Sequence, residues 1–259
     1  MNWFSSYRVH HRVASKFRVG RAFLLGDAAH IHSPAGGQGM NTGIGDAIHL
    51  AWKLAAVIGG CAPASMLDTY ETERIGFARK VVSTTDRVFT FVTKQGAIAR
   101  FARTRLVPRI APALFRTAAV RRFIFRTVSQ VGIEYRGSVL SSGAARDVHG
   151  GDRLPWVPLA TGGDNYAPLR SMAWQAHVYG TASTALSAHC AGLQLPLHTF
   201  EWTPAMHSAG LARGALYLIR PDSYLALVDA TANPSTLSTY FESLGLSATD
   251  VARAPDTPR

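Results

Sequence analysis

Cysteine is nearly absent from this chain: Cys61 and Cys190 are the only two in 259 residues. Standing far apart and without a Cys-x-x-Cys, they give no disulfide framework, dithiol or zinc site, and both read as small buried hydrophobes. Histidine does not make up the deficit. His10-His11 and the His30/His32 pair have no Asp, Glu or Cys at a spacing that would complete a ligand set, so no metal is expected. No apolar run is long enough to span a bilayer. The N-terminus mixes aromatics with His and Arg and has no apolar h-region, which excludes a signal peptide and points to the cytoplasm. There is no Gly-x-Ser-x-Gly around which to build a Ser-His-Asp site. A Gly-x-Gly-x-x-Gly nucleotide fingerprint is missing too, since Gly43-Ile44-Gly45 lacks the third glycine and lies in a helical pattern rather than after a strand.

Acidic residues are missing from one long stretch. Between Arg87 and Ile133 there is no Asp or Glu, while Arg100, Arg103, Arg105, Arg109, Arg116, Arg121, Arg122 and Arg126 alternate with Phe101, Leu106, Ile110, Leu114, Phe115, Phe123, Ile124 and Phe125. This stretch supplies much of the net charge of +11. Such a pattern suits a nucleic-acid or membrane-surface patch. It equally suits helices with a solvated basic face and an apolar face against the cofactor domain or a second subunit. No nucleic-acid motif accompanies the charge, which favours the second reading. Pro108 and Pro112 are expected to break the region into short helices.

The richest segment runs from Gly20 to Asn41. Ala22 to Leu25 is a short apolar run between Gly20 and Gly26, the pattern of a buried strand. Asp27 follows at its carboxyl end, where ligands lie in open α/β sheets, and an ionised carboxylate accepts hydrogen bonds from ligand hydroxyls. Pro34 stiffens the loop, and Gly36, Gly37 and Gly39 permit close backbone approach or positive φ. From about Met40 a helix is expected, with Met40, Ile44, Ala47, Ile48, Ala51, Ala55 and Ile58 on one apolar face and Gly59-Gly60 as its stop. Its N-terminus, with free N–H groups and partial positive charge, suits an anion. Strand, carboxylate, glycine loop and helix start together describe a site for a polar, partly anionic cofactor.

The run Gly26-Asp27-Ala28-Ala29-His30, with Pro34, Gly37-Gln38-Gly39-Met40-Asn41, Asp46-Ala47 and Leu50-Ala51-Trp52-Lys53-Leu54, resembles the second FAD motif of class A flavoprotein aromatic hydroxylases, which have the para-hydroxybenzoate hydroxylase fold. Tyr70-Glu71-Thr72-Glu73-Arg74 resembles the Tyr-Glu-x-Glu-Arg helix of the branch acting on phenols, hydroxyphenylpropionate and polyketides such as rifampicin. The resemblance implies FAD as cofactor and NAD(P)H- and O2-dependent hydroxylation of a small aromatic or polyketide-like substrate. It implies that Asp27 holds a ribityl hydroxyl, that Pro34 lies near the reactive face of the flavin, and that the N–H groups of Met40 and Asn41 face its N1/O2 edge. Gly26, Gly36, Gly37 and Gly39 complete the expected cofactor site, and His30 is expected to support the loop. The family's nucleotide fingerprint and most of its substrate-binding sheet have no counterpart here. The resemblance therefore covers the family's C-terminal half, with Trp3, Phe4, Tyr7, Val9 and Val13 as the last strands of that sheet.

The expected fold class is α/β. Residues 1–136 form the C-terminal part of a glutathione-reductase-like FAD-binding domain with basic helices, 137–150 a loop-like linker rich in Ser and Gly, and 151–259 a thioredoxin-like α/β domain without Cys-x-x-Cys. In that domain Ala176–Tyr179, Leu195–Phe200, Ala215–Ile219 and Tyr224–Val228 are apolar stretches, Arg220 to Tyr224 a tight turn, Thr236–Leu244 a terminal helix and Arg253–Arg259 a frayed tail. Gly151-Asp152-Arg153-Leu154-Pro155 and Arg220-Pro221-Asp222-Ser223-Tyr224 resemble that domain's opening and its late hairpin, with Ser223 where the family has glycine. The partners implied are an aromatic substrate and either a second copy of the chain or a separate N-terminal half, with no nucleic acid and no membrane span. A non-catalytic remnant or interaction module unable to hold FAD is the alternative to a monooxygenase.

Overall fold

The structure is a computed structural model of the whole chain, described here for residues 10–32 and 37–246. Its α/β architecture divides into two units, Met1–Ala47 with Glu71–Gly132, and Ile48–Tyr70 with Ile133–Arg259. The sequence places a single boundary near residue 136. In the structure residues 48–70 group with the second unit, because Trp52, Ala62 and Met66 are part of its apolar core.

In the first unit, β1 (Arg12–Val13) pairs antiparallel with β4 (His30–Ile31), and β2 (Arg18–Val19) with β3 (Ala22–Phe23) around Gly20, whose φ is +58°. Helix α1 (Gly39–Ile58) follows the glycine loop, and α2 (Asp68–Thr93) returns. Glu71 on α2 accepts hydrogen bonds from the N–H groups of Phe17 (2.6 Å) and Arg18 (3.0 Å), which fixes β2 against the helix. The run Ala22–Leu25 is not the buried strand that its pattern suggests. Only two of its residues are in a strand, and Leu24 and Leu25 are exposed. Among the described residues β3 pairs with β2 alone.

The basic stretch is helical: α3 (Ala97–Phe101), a π-helical turn over Ala102–Leu106, α4 (Val107–Arg116) and α5 (Ala118–Val128). Pro108 sits in the first turn of α4, where its missing N–H costs nothing. Pro112 lies inside α4 instead of ending it. No residue of these helices is buried, although Val120 and Ile124 of α5 are half-buried. The described part of Trp3, Phe4, Tyr7, Val9 and Val13 is Val13 alone, in β1; the other four, like Arg253–Arg259, lie outside the described residues.

The second unit is built on a six-stranded mixed sheet in the order β6-β5-β10-β9-β7-β8. Its strands are β5 (Ser142–Ala145), β6 (Val148–His149), β7 (Gln175–Tyr179), β8 (Leu197–Phe200), β9 (Leu216–Ile219) and β10 (Leu225–Asp229). Helices α6 (Thr184–Gly192), α7 (Pro204–Ser208) and α8 (Pro234–Ser243) join or follow them. Parallel β7 and β8 linked by α6, followed by the antiparallel β9–β10 pair and α8, is the order expected of a thioredoxin-like unit. Alternation along the strands feeds two cores. Leu216 and Leu218 join Trp174, Val178 and Phe241 on one face, while Tyr217 and Ile219 join Leu154, Met206 and Leu225 on the other.

The expected linker 137–150 is not a linker. It supplies β5 and β6, with β5 parallel to β10 (Leu227↔Ser142). Its glycines mark close packing rather than flexibility. A Cβ on Gly143 would stand 2.0 Å from the Val228 carbonyl oxygen, and one on Gly150 2.4 Å from the Ser142 backbone. Cys190 is buried as expected, and burial pushes its thiol up to about 11; Cys61 is only half-buried.

Two distant segments meet in a buried polar knot within this unit. Asp222 accepts hydrogen bonds from Trp52 Nε1 (2.9 Å), from His49 Nδ1 (2.9 Å) and from both sides of the Arg220 guanidinium (3.0 and 2.6 Å). Lys53 Nζ lies 2.9 Å from His49 Nε2 and donates to Thr69 Oγ1 (2.7 Å). Burial acts to raise the Asp222 carboxyl, but the Arg220 charge and the His49 hydrogen bond outweigh it and hold the group far below the usual carboxylate range.

Candidate functional site

The predicted helix start is accurate, and Gly39 opens α1. Gly37 has φ +62° and open space around it, the left-handed backbone that glycine adopts without cost. Met40 and Asn41 are exposed in the first turn, Met40 at 75%. That turn holds no acidic residue, and its N–H groups lack intrahelical acceptors, so the helix end carries its positive dipole undiluted. Asp27 is exposed in a short 3₁₀ turn, Gly26–Ala28. Pro34 and Gly36 lie outside the described residues.

What holds Asp27 near the helix is Gly26. Its φ is +57°, and its Cα lies so near α1 that a Cβ on Gly43 would stand 3.4 Å away. Gly43, which fails as a nucleotide fingerprint, is thus a contact glycine. Gly45 leaves room for the Arg74 guanidinium in the same manner, since a Cβ there would stand 3.4 Å from its Nη2. Each glycine costs about 1 kcal/mol of helix propensity relative to alanine, and a Cβ at either position would come into contact without a clash.

The sequence reading assigned no role to the carboxylate beneath this loop. Asp46 on α1 is 1% exposed. It accepts hydrogen bonds from the Gly26 N–H (3.0 Å), His30 Nε2 (2.7 Å) and Arg74 Nε (2.6 Å). Arg74 also donates to the Thr42 carbonyl at 3.1 Å. Loop, strand β4, helix α1 and helix α2 therefore converge on one side chain. Burial alone would raise the Asp46 carboxyl; the His30 hydrogen bond, the Arg74 charge and the Gly26 N–H together hold it below its ordinary value. The support expected of His30 is this hydrogen bond, and its ring also stacks with His32 at 6.4 Å. Asp46 and Arg74 stood in the resembling motifs, which was their only signal.

A second clasp left no mark in the sequence. Gln38 Nε2 donates to the Thr127 carbonyl (3.1 Å), while Gln130 Nε2 donates to Thr42 Oγ1 (2.8 Å) and to the Gln38 carbonyl (3.3 Å). Both glutamines are buried. They tie the end of the glycine loop to the end of α5, from 92 residues away in sequence.

The donor set fits a flavin dinucleotide. An exposed carboxylate offers acceptors to hydroxyls, a glycine backbone admits close approach, and a helix N-terminus presents N–H groups to an electron-rich edge. Comparison with known proteins agrees. Residues 1–85 match the FAD binding domain family. The chain is 33% identical over 231 residues to a flavin-dependent monooxygenase of Mycobacteroides abscessus, covering 88% of this chain and 41% of that protein. It is 32% identical over 275 residues to the 6-methylpretetramide 4-monooxygenase of Streptomyces rimosus, covering 96% and 49%. Among solved structures it is similar to CabE, an aromatic hydroxylase from angucycline biosynthesis, with a TM-score of 0.74, 28% identity, and coverage of 97% of this chain and 49% of that one. By these findings the chain is similar to class A FAD-dependent aromatic hydroxylases. It spans about half the length of the relatives that it matches.

Proposed function

We propose that this chain carries part of the FAD site of an NAD(P)H- and O2-dependent monooxygenase acting on an aromatic or polyketide-like substrate. The observation that carries the reading is the buried Asp46, which locks the Gly26–Asp27 turn, His30 and Arg74 onto the helix that begins at Gly39. FAD, when bound and reduced, supplies the activation of O2. The chain's own residues bind and orient it. Asp27 accepts a hydrogen bond from a ribityl hydroxyl. The N–H groups of Met40 and Asn41 stabilise negative charge on the pyrimidine edge without a mobile counterion. Gly37 and Gly39 let the backbone approach; Pro34 and Gly36, the other expected site residues, lie outside the described residues. The reading includes a cytoplasmic location, and a second copy of the chain or a separate N-terminal half as partner.

The test is made on the native protein recovered from its source cells with an antibody against the second unit. Flavin absorbance is expected in that material, and its mass shows whether a further polypeptide accompanies the chain. In the flavin-bound protein, Asp27→Ala removes a charge-assisted hydrogen bond worth about 1.5–3 kcal/mol, roughly ten- to a hundredfold in FAD affinity. Unchanged affinity in that variant would remove Asp27 from the site. A colourless native protein would leave the non-catalytic reading standing in place of the enzyme.

A further inference from the structure

Helix α5 ends in a backbone conformation that its sequence does not favour. Gln130, in the turn after it, has φ +56°, the left-handed region that glycine enters freely and a longer side chain enters at a steric cost. Glycine is the usual residue at such a helix end. Among the described residues of the first unit, Gln130 is the only non-glycine with positive φ. Its side chain is buried, and Nε2 donates to Thr42 Oγ1 at 2.8 Å and to the Gln38 carbonyl at 3.3 Å. The same carbonyl accepts from Thr42 Oγ1 at 2.8 Å and from the Thr42 N–H at 3.0 Å. Gln38 Nε2 answers by donating to the Thr127 carbonyl (3.1 Å), in the last turn of α5, where carbonyls lack intrahelical donors.

These contacts fall on the residues that set the direction of the first turn of α1. Gln38 precedes Gly39, and Met40 and Asn41 lie between Gln38 and Thr42, so the clasp brackets the N–H groups proposed above to face the flavin. A helix end stabilises developing negative charge best when its donors are held in place beforehand. Gly37 and Gly39 give this end little stiffness of its own. Backbone strain that the surroundings hold in place clusters at ligand-binding sites. We propose that Gln130 is a positioning residue for the flavin: by bracing the Gln38–Thr42 turn from the end of α5, it holds the Met40 and Asn41 N–H groups toward the pyrimidine edge and favours reduced over oxidised FAD. The proposal rests on the reading of this chain as part of an FAD site.

Two substitutions separate the side chain from the backbone. Gln130→Gly relieves the left-handed strain and removes the amide. Gln130→Asn keeps an amide on a residue that tolerates this backbone, but one methylene shorter. In the isolated chain, hydrogen exchange at the Thr42 amide is expected to quicken about tenfold in both variants. In the native flavin-bearing protein recovered from source cells, both are expected to lose about tenfold of the preference for reduced over oxidised FAD, which moves the two-electron potential about 30 mV more negative. A purely structural clasp would quicken exchange and leave the potential where it was, and that result overturns the proposal. So does unchanged exchange at Thr42, or an Asn variant that matches the native sequence in both readouts. Native protein without flavin sinks the functional reading and the proposal with it. That outcome is distinct from a flavin-bearing variant with an unshifted potential, which removes Gln130 alone.

Discussion

Asp46 shows how much one side chain can decide. A buried carboxylate accepting hydrogen bonds from an amide, an imidazole and a guanidinium is stable only while its partners remain. Arg74→Met leaves the charge buried without its cation, at a cost of about 3 kcal/mol. Hydrogen exchange at the Gly26 amide, which donates to Asp46, is expected to accelerate roughly a hundredfold. Unchanged exchange there would mean that the loop is held by something else. Ser223 is a smaller case. It occupies the turn between β9 and β10 with φ +69°, where the family pattern has glycine. A left-handed serine is strained by about 1 kcal/mol, and part of the gain from glycine is lost to the greater freedom of the unfolded chain. Ser223→Gly is therefore expected to stabilise the second unit by about 0.5 kcal/mol, read as a higher urea midpoint at constant m. A lower midpoint would show that the serine side chain matters more than its backbone. The sequence named Ser223 as a departure, and only the φ angle explains it.

At the level of elements, β7 carries a polar ladder within the sheet. Neutral His177 donates from Nε2 to Gln175 Oε1 at 3.0 Å and lies 3.4 Å from the Tyr179 hydroxyl, to which Asn165 donates at 2.7 Å. Burial, with the neighbouring His198, holds His177 down to about 3. The unfolded chain takes up this proton near 6.5, while the folded chain refuses it until about pH 3. Stability is thus fully present above 6.5 and falls with decreasing pH across that window, by about 1.4 kcal/mol per pH unit. The stability difference between the native sequence and His177→Gln, followed by fluorescence of the buried Trp174, is expected to be flat above pH 6.5 and to shrink below it. A difference independent of pH would place the imidazole elsewhere. Element type was legible where periodicity was strong. Helix α1 begins within one residue of its expected start, and the β7, β8, β9 and β10 stretches are all strands. Element environment was less so. The apolar stripe of α1 faces outward, and its buried positions include the polar Thr42, Asp46, His49 and Lys53. Residues 142–149 read as a loop because glycine and serine resemble flexibility, whereas here they allow strands to approach one another.

Across the whole molecule, the two units differ in what stabilises them. The second has two apolar cores around one sheet, while the first combines buried polar contacts with exposed apolar side chains such as Leu24, Met40 and Phe123. The first unit carries the residues proposed to face the flavin but no Gly-x-Gly-x-x-Gly after a strand to cradle a pyrophosphate. The isolated chain is accordingly expected to purify colourless, with FAD bound weakly or not at all. A yellow preparation with one flavin per chain would show that the loop and the helix end suffice. By itself the sequence pointed to the FAD-binding class and placed the start of α1, because a carboxylate, a glycine loop and a helix start within about twenty residues are local features set by backbone chemistry. Only the tertiary structure decided that Asp46 gathers Gly26, His30 and Arg74, that Gln130 clasps Gln38, and that Asp222 binds Trp52 and His49. Those partners are up to 173 residues apart (His49 to Asp222), and no periodicity or local propensity encodes which buried charge will meet which donor.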